Sequence, residues 1–140
     1  VANGAMSFNF KMPEELMEQF SESNLKKART KAVEAAGMVW ADETKEIVME
    51  DDHINTSLFI NSIGYVTGFA GNSEGPRATE GDVVHEITDE GGKTTLQIGS
   101  AVSYAPVLEK RYNLMARGLD RAQERMNRVA DHQIKTILKI

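Results

Sequence analysis

Hydrophobic positions along this chain change period twice. Between residues 24 and 50 they recur at steps of three and four: Leu25, Ala28, Ala32, Ala36, Val39 and Ile47, with Glu43 the one polar residue on the line. That spacing places one apolar stripe on a helix, widened by Val33 and Trp40. Asn24 is placed to cap its start. The alanines let the helix lie close against a sheet or another helix. Gly37 costs about 1 kcal/mol against alanine, and marks either a point of close packing or a slight hinge. Ahead of this helix, Pro13 to Phe20 predicts a short one, with proline in the first turn and two glutamates favouring the dipole. The alternation Phe8-Asn9-Phe10-Lys11-Met12 predicts a short extended segment.

Further on the period falls to two. Val83, His85 and Ile87 share one side of a strand over residues 82–88, Val84 and Glu86 the other, and Leu96 and Ile98 alternate over residues 93–98. Asp89-Glu90-Gly91-Gly92 lies between them as a tight turn, so the pair predicts a hairpin. Residues 58–69 predict a helical turn followed by a further strand containing Ile63, Tyr65 and Val66. Residues 70–81 hold turn formers and little to bury, and predict a flexible loop with a binding or assembly role. The helical period returns over residues 113–138 with Met115, Leu119, Ala122, Met126 and Val129, extended by Ile134, Ile137 and Leu138. Arg117, Arg121, Arg125 and Arg128 occupy the other side and alternate with Asp120, Glu124 and Asp131 at pairing distance. Gly118 is the weak point of this helix. The order helix, strands, helix predicts an α+β fold: a small, mostly antiparallel sheet packed against two long helices, one N-terminal and one C-terminal.

The length of 140 residues suits one domain with one core. Residues 1–5 read as a vector scar outside the fold and Met6 as the native start, leaving 6–140 as the domain. With no cysteine, disulfides, thiolate zinc sites and cysteine nucleophiles are excluded. No apolar run approaches the roughly 20 residues that span a bilayer, and the start lacks the order of a signal peptide. The net charge of −5 is unevenly spread: residues 109–140 carry +4 and the rest −9. Two oppositely charged parts can support contact between subunits.

Candidate chemistry is sparse. His53, His85 and His132 fall in a loop, a strand and a helix, without metal-ligand spacing. Asp42, Glu43, Glu46, Glu50, Asp51 and Asp52 cluster at a helix end without the order of a calcium loop, and read as a solvated face. Their position opposes the helix dipole and predicts fraying. A metal-dependent hydrolase built on Glu46 and Asp51 is the enzymatic alternative. No nucleophile elbow and no phosphate-binding glycine loop is present. The basic C-terminal helix has acids interleaved and no aromatic after Tyr112, which argues against a sequence-specific nucleic-acid grip. The expectation is a non-enzyme with no cofactor and no metal.

The stretch Gly99-Ser100-Ala101-Val102-Ser103-Tyr104-Ala105-Pro106-Val107-Leu108-Glu109 joins the hairpin to the closing helical pattern. Tyr104 and Pro106 stand at a strand-to-helix corner, where proline pushes Ala105 towards an extended conformation. Tyr104 reads as a core-corner residue or an interface one, and Glu109 as a helix-dipole partner or an interface ion pair. Together with Asn55-Thr56-Ser57-Leu58-Phe59-Ile60-Asn61-Ser62-Ile63 and the long alanine-rich helix before it, this stretch resembles the tail-completion, or head–tail joining, family of long-tailed phages. In that family's second motif Gly99, Val102, Tyr104, Ala105 and Glu109 match in place. In the first, Thr56, Leu58 or Phe59, Ser62 and Ile63 answer, with Ser57 where the family has glycine. Lys110-Arg111 stand where the family has Gly-Thr.

The resemblance implies a structural virion protein, made in the host bacterial cytoplasm. It would form a ring, commonly six-fold, at the head-proximal end of the tail. Its partners would be itself, the tail tube and the head-completion proteins, with double-stranded DNA only passing through the lumen and no membrane. The residues expected to carry assembly are Gly71, Asn72, Glu74 and Arg77 in the loop, Tyr104, Glu109 and Arg111 at the corner, and Arg117, Arg121 and Arg125 on the closing helix. The alternative is a small cytoplasmic α+β adaptor that docks a partner through its C-terminal helix.

Overall fold

In the computed structural model the described residues are 4–51, 57–69 and 77–140. In chain order they form β1 (Ala5–Lys11), α1 (Glu14–Gln19), α2 (Glu22–Glu50), α3 (Ser57–Ser62), a 3-10 turn (Glu80–Asp82), β2 (Val83–Glu90), β3 (Lys93–Ser100), α4 (Ala105–Tyr112) and α5 (Leu114–Leu138). The strands make one antiparallel sheet in the order β1-β3-β2, and the two long helices α2 and α5 pack on it. The fold is the α+β arrangement that the periodicity predicts.

Phe8 and Ile87 both pair with Leu96 across the sheet, and Met6 and His85 both pair with Ile98. Paired residues in adjacent strands point to one side, so Met6, Phe8, Leu96, Ile98 and Ile87 share the face that meets the helices. The opposite face carries Ser7, Asn9 and Lys11 of β1, Lys93, Thr95 and Gln97 of β3, and Glu86, Thr88 and Glu90 of β2. Apart from Val84, Gly99 and Ala5 at one end it is polar, as suits an antiparallel sheet with one wet side. Gly91 and Gly92 both take positive φ, 58° and 78°, which a two-residue hairpin turn of this hand requires.

Trp40 of α2 is fully buried at the centre of the core. Its indole N–H donates to the Met115 carbonyl at 3.0 Å, and its ring meets Phe8 edge-on with centroids 5.8 Å apart. Gly37 is a point of close packing: a Cβ there would stand 2.5 Å from Leu96 Cδ2. Gly118, the expected weak point of α5, is a point of close approach between α2 and α5, since a Cβ would stand 2.0 Å from Thr44 Oγ1. Along α5, Gly118, Ala122, Met126, Ala130, Ile134 and Leu138 are buried. This every-fourth-residue row is the ridge that a neighbouring helix packs against; Leu119 and Val129 of the expected stripe are half-buried.

Several expectations need correction. Ser21 caps α2, its Oγ accepting from the Asn24 backbone at 3.2 Å, so Asn24 lies inside the first turn. Gly4 and Ala5, expected outside the fold, belong to the sheet: Ser100 N–H donates to the Gly4 carbonyl at 2.9 Å and Ala5 pairs with Gly99. The third strand is β1 and not Ile63–Val66. There, Gly64 turns the chain with φ 75°, and Lys45 captures the Tyr65 carbonyl. The corner does not open straight into the closing helix either. The eight-residue α4 intervenes, with proline in its first turn, and Asn113 in the left-handed region (φ 52°) separates it from α5.

Candidate functional site

Of the residues that carry the family resemblance, Phe59, Ser62, Gly99 and Tyr104 lie at one corner of the fold, and Thr56 lies outside the described residues. Ser62 and Ser100 are buried with hydroxyl oxygens 2.6 Å apart, and Ser62 also donates to the Phe59 carbonyl at 2.8 Å. Gly64 N–H donates to the Gly99 carbonyl at 3.0 Å. Phe59 packs against Tyr104 with ring centroids 6.5 Å apart. Each residue of the corner has a definite task. A Cβ on Gly99 would stand 2.2 Å from the Gly4 carbonyl oxygen, so glycine lets β1 approach. Tyr104 is the N-cap residue of α4 and, half-buried against Phe59, is a corner residue of the core. Glu109 is 3% exposed. Its two carboxylate oxygens accept from the backbone N–H groups of Met115 at 2.6 Å and Ala116 at 3.2 Å. It therefore caps the start of α5 from the last turns of α4, satisfying donors that the helix leaves free. Glu109 is thus a dipole partner within the subunit.

The expected opposition of an acidic front and a basic closing helix is present, but inside one subunit. Arg117 binds Asp51 at 3.0 Å, Arg121 binds Glu50 at 2.9 Å and Glu43 at 3.4 Å, and Arg125 binds Glu43 at 3.1 Å. The partners descend along α2 as the arginines ascend along α5, the pattern of antiparallel helices. The hydrogen bond Arg117 donates to Asp51 holds its pKa above the ordinary value, and the one Arg121 donates to Glu50 does the same there. Glu43, Glu50 and Asp51 at the end of α2 are thus offset by α5, and the helix runs through Glu50; Asp52 lies outside the described residues. Arg117, Arg121 and Arg125 are tied up within the chain. The apolar side of α5 is buried in the core.

Arg77 and Arg111 are exposed, and among the described residues neither has a carboxylate partner. Gly71, Asn72, Glu74 and His53 lie outside the described residues. Of the loop expected over residues 70–81, the end is built: Asp82 accepts from the Thr79 backbone at 2.9 Å and its hydroxyl at 3.0 Å, around the 3-10 turn.

Two buried cations went unread in the sequence. Arg29 is fully buried on α2 beside the predicted stripe, and bonds Thr94, Glu22 and Asp89. Lys45 is 1% exposed. Its Nζ donates to the Tyr65 carbonyl at 2.8 Å and Thr67 Oγ1 at 3.1 Å, and lies 3.7 Å from the Tyr65 ring centroid. Asn61 continues the latch: its Oδ1 accepts from Thr67 Oγ1 and Phe69 N, each at 2.8 Å, while its Nδ2 donates to the Phe69 carbonyl. The Tyr65 hydroxyl donates to Asp42. Burial pulls the Lys45 amine down to about 8, partly opposed by Asp42. Burial, then the hydrogen bond and charge of Asp42, pushes the Tyr65 hydroxyl up to about 12.

Those shifts give an alkaline signature. In the unfolded chain Lys45 titrates near 10.4 and Tyr65 near 10. Between about pH 8 and 10 the unfolded state binds more protons at Lys45, so stability rises with pH; between about pH 10 and 12 the folded state keeps the Tyr65 proton and stability falls. In urea titrations a Lys45→Met chain is expected to lose the rise and a Tyr65→Phe chain the fall. Variants with the parent's slopes would contradict this assignment.

Beside the latch lies an open cleft of about 300 Å³, lined by Asp42, Glu46, Met49 and Phe69 with Glu43, Lys45 and Arg125. A second hollow of about 220 Å³ between β1 and the long helices is apolar, lined by Phe8, Phe10, Ala36, Met126 and Ile134 among others. Among the described residues no group of His, Asp and Glu is placed to hold a metal ion, and no helix is long and apolar enough to cross a membrane. No family model, no curated protein and no solved structure matches the chain.

Proposed function

We propose that the chain is a structural virion subunit that assembles as a ring at the head-proximal end of a long phage tail and joins it to the head connector, the genome passing through the lumen. The observation that carries this reading is the convergence of the two stretches on which the family resemblance rests. They are separated by the whole β2–β3 hairpin in sequence. They nevertheless touch at Ser62–Ser100 and Phe59–Tyr104, and Gly64, the residue after the first stretch, donates to the Gly99 carbonyl. Matching residues that form one corner together are better support for a shared architecture than the same matches scattered over the surface. In this reading the motifs build the subunit, and surfaces outside them make the joints between subunits. A ring needs two different faces on each subunit.

The test is to add the purified chain to tails that lack their completion protein. Negative-stain images should show density at one end of each tail, and the mass the tails gain, by light scattering, should be a whole multiple of the chain's mass. A chain that binds neither tails nor head connectors would overturn the proposal.

A further inference from the structure

The helix α4 turns Ala105 and Glu109 into the core and presents Val107, Lys110 and Arg111 outward. These stand at i, i+3 and i+4, so they share one helical face. Val107 is 60% exposed, the most exposed large hydrophobic residue among those described. The cleft on α2 offers the matching set. Met49 and Phe69 are 50% and 43% exposed. Asp42 and Glu46 are exposed carboxylates on its rim. Glu46 has only a long contact to Arg121, at 3.8 Å. Glu43 and Arg125, which also line the cleft, neutralise each other at 3.1 Å; Lys45 lines it too but is buried, its amine held by the Tyr65 carbonyl and Thr67 Oγ1, so the two exposed carboxylates of Asp42 and Glu46 leave the rim acidic. One surface therefore has an exposed apolar residue with two cations, and the other has two exposed apolar residues with two anions.

We propose that the α4 face of one copy docks in the α2 cleft of the next, with Val107 against Met49 and Phe69, and Lys110 and Arg111 against Asp42 and Glu46. The occupant is a second copy of this chain because both halves of the complement are on it. The two faces differ, so the contact is heterologous and each copy can pass it on. The inference rests on the ring reading and names its joint.

The chain has no cysteine, which allows a direct test. Val107→Cys and Met49→Cys change exposed side chains, and the two full-length variants are mixed under mild oxidation. The expected result is a disulfide-linked heterodimer from the mixture, in clear excess over dimers from either variant alone. Adding Arg111→Glu to the first variant should reduce that yield several-fold, and adding Glu46→Arg to the second should restore it; high salt should weaken the unmodified pair. Heterodimer no more abundant than the single-variant dimers overturns the contact, as does a yield indifferent to Arg111→Glu. The failures are separable: rings that form on tails from the Arg111→Glu chain sink this joint and leave the ring standing, whereas no binding to tails sinks the ring reading itself.

Discussion

A Trp40→Ala chain is expected to lose about 3–5 kcal/mol of stability, the range for deleting a large buried aromatic. The site explains why the upper part of that range applies. The ring is fully buried, its edge contact with Phe8 ties α2 to β1, and its N–H satisfies the Met115 carbonyl in the first turn of α5. Removing it leaves a cavity where helix, helix and sheet meet, and an acceptor without its partner. Trp40→Phe separates the two losses, because it keeps much of the ring and gives up the hydrogen bond; its cost should be the smaller. Trp40 is the chain's one tryptophan, so the transition is followed by circular dichroism instead of indole fluorescence. A midpoint within error of the parent's would refute this account of the core.

An Asp89→Ala chain is expected to lose about 3 kcal/mol, at the low end for breaking a buried ion pair. Arg29 has no exposed side-chain surface. Its Nη2 reaches Glu22 at 2.6 Å and Asp89 at 3.1 Å, and its Nε donates to Thr94 at 3.1 Å. The Thr94 hydroxyl in turn donates to Asp89. Taking Asp89 away strips both of a buried acceptor and leaves Glu22, which is largely exposed, as the one counter-ion. The same group governs acid stability. The Thr94 hydrogen bond, then Arg29, hold the Asp89 carboxyl below its ordinary value against the opposing effect of burial. Its contribution is therefore complete above about pH 3.9 and is lost as pH falls through the depressed folded value. Urea midpoints measured from pH 7 downward should show an acid slope in the parent that is shallower in the variant. Equal slopes would assign the acid limb to other carboxylates.

The long helices and the hairpin were legible because each presents one clean period over many residues. Ile63 to Val66 misled because apolar residues with a β-branched pair look like a strand. What decides against it is a glycine at positive φ and a lysine twenty residues earlier in the chain, neither visible as a local pattern. The first strand was half seen in the alternation of Phe8 and Phe10, but its partner is β3, far away in sequence. α4 was hidden because a helix of two turns leaves too few positions for a period to show. Its real signals were Pro106 at the start and an asparagine able to turn left-handed at the end. The arginines of α5 were read correctly as a charged row. That row also fits a surface meeting another subunit, and only the antiparallel packing of α2 reveals that its carboxylates are within the same chain. Arg29 and Lys45 gave no sequence signal, since a cation next to an apolar stripe ordinarily lies at its solvated border.

The strand order has a consequence for synthesis. Lys11 meets Lys93, so α1, α2, α3 and β2 all lie within the span that β1 must close. Met6, Phe8 and Phe10 emerge before the hairpin does, yet the strand they belong to has no place to dock until β3 has left the ribosome. The hairpin of β2 and β3 closes over two glycines, a short and fast event, whereas β1 pays the entropy of the longest loop in the sheet. Within this sheet the strand made before the other two is the last that can be accepted.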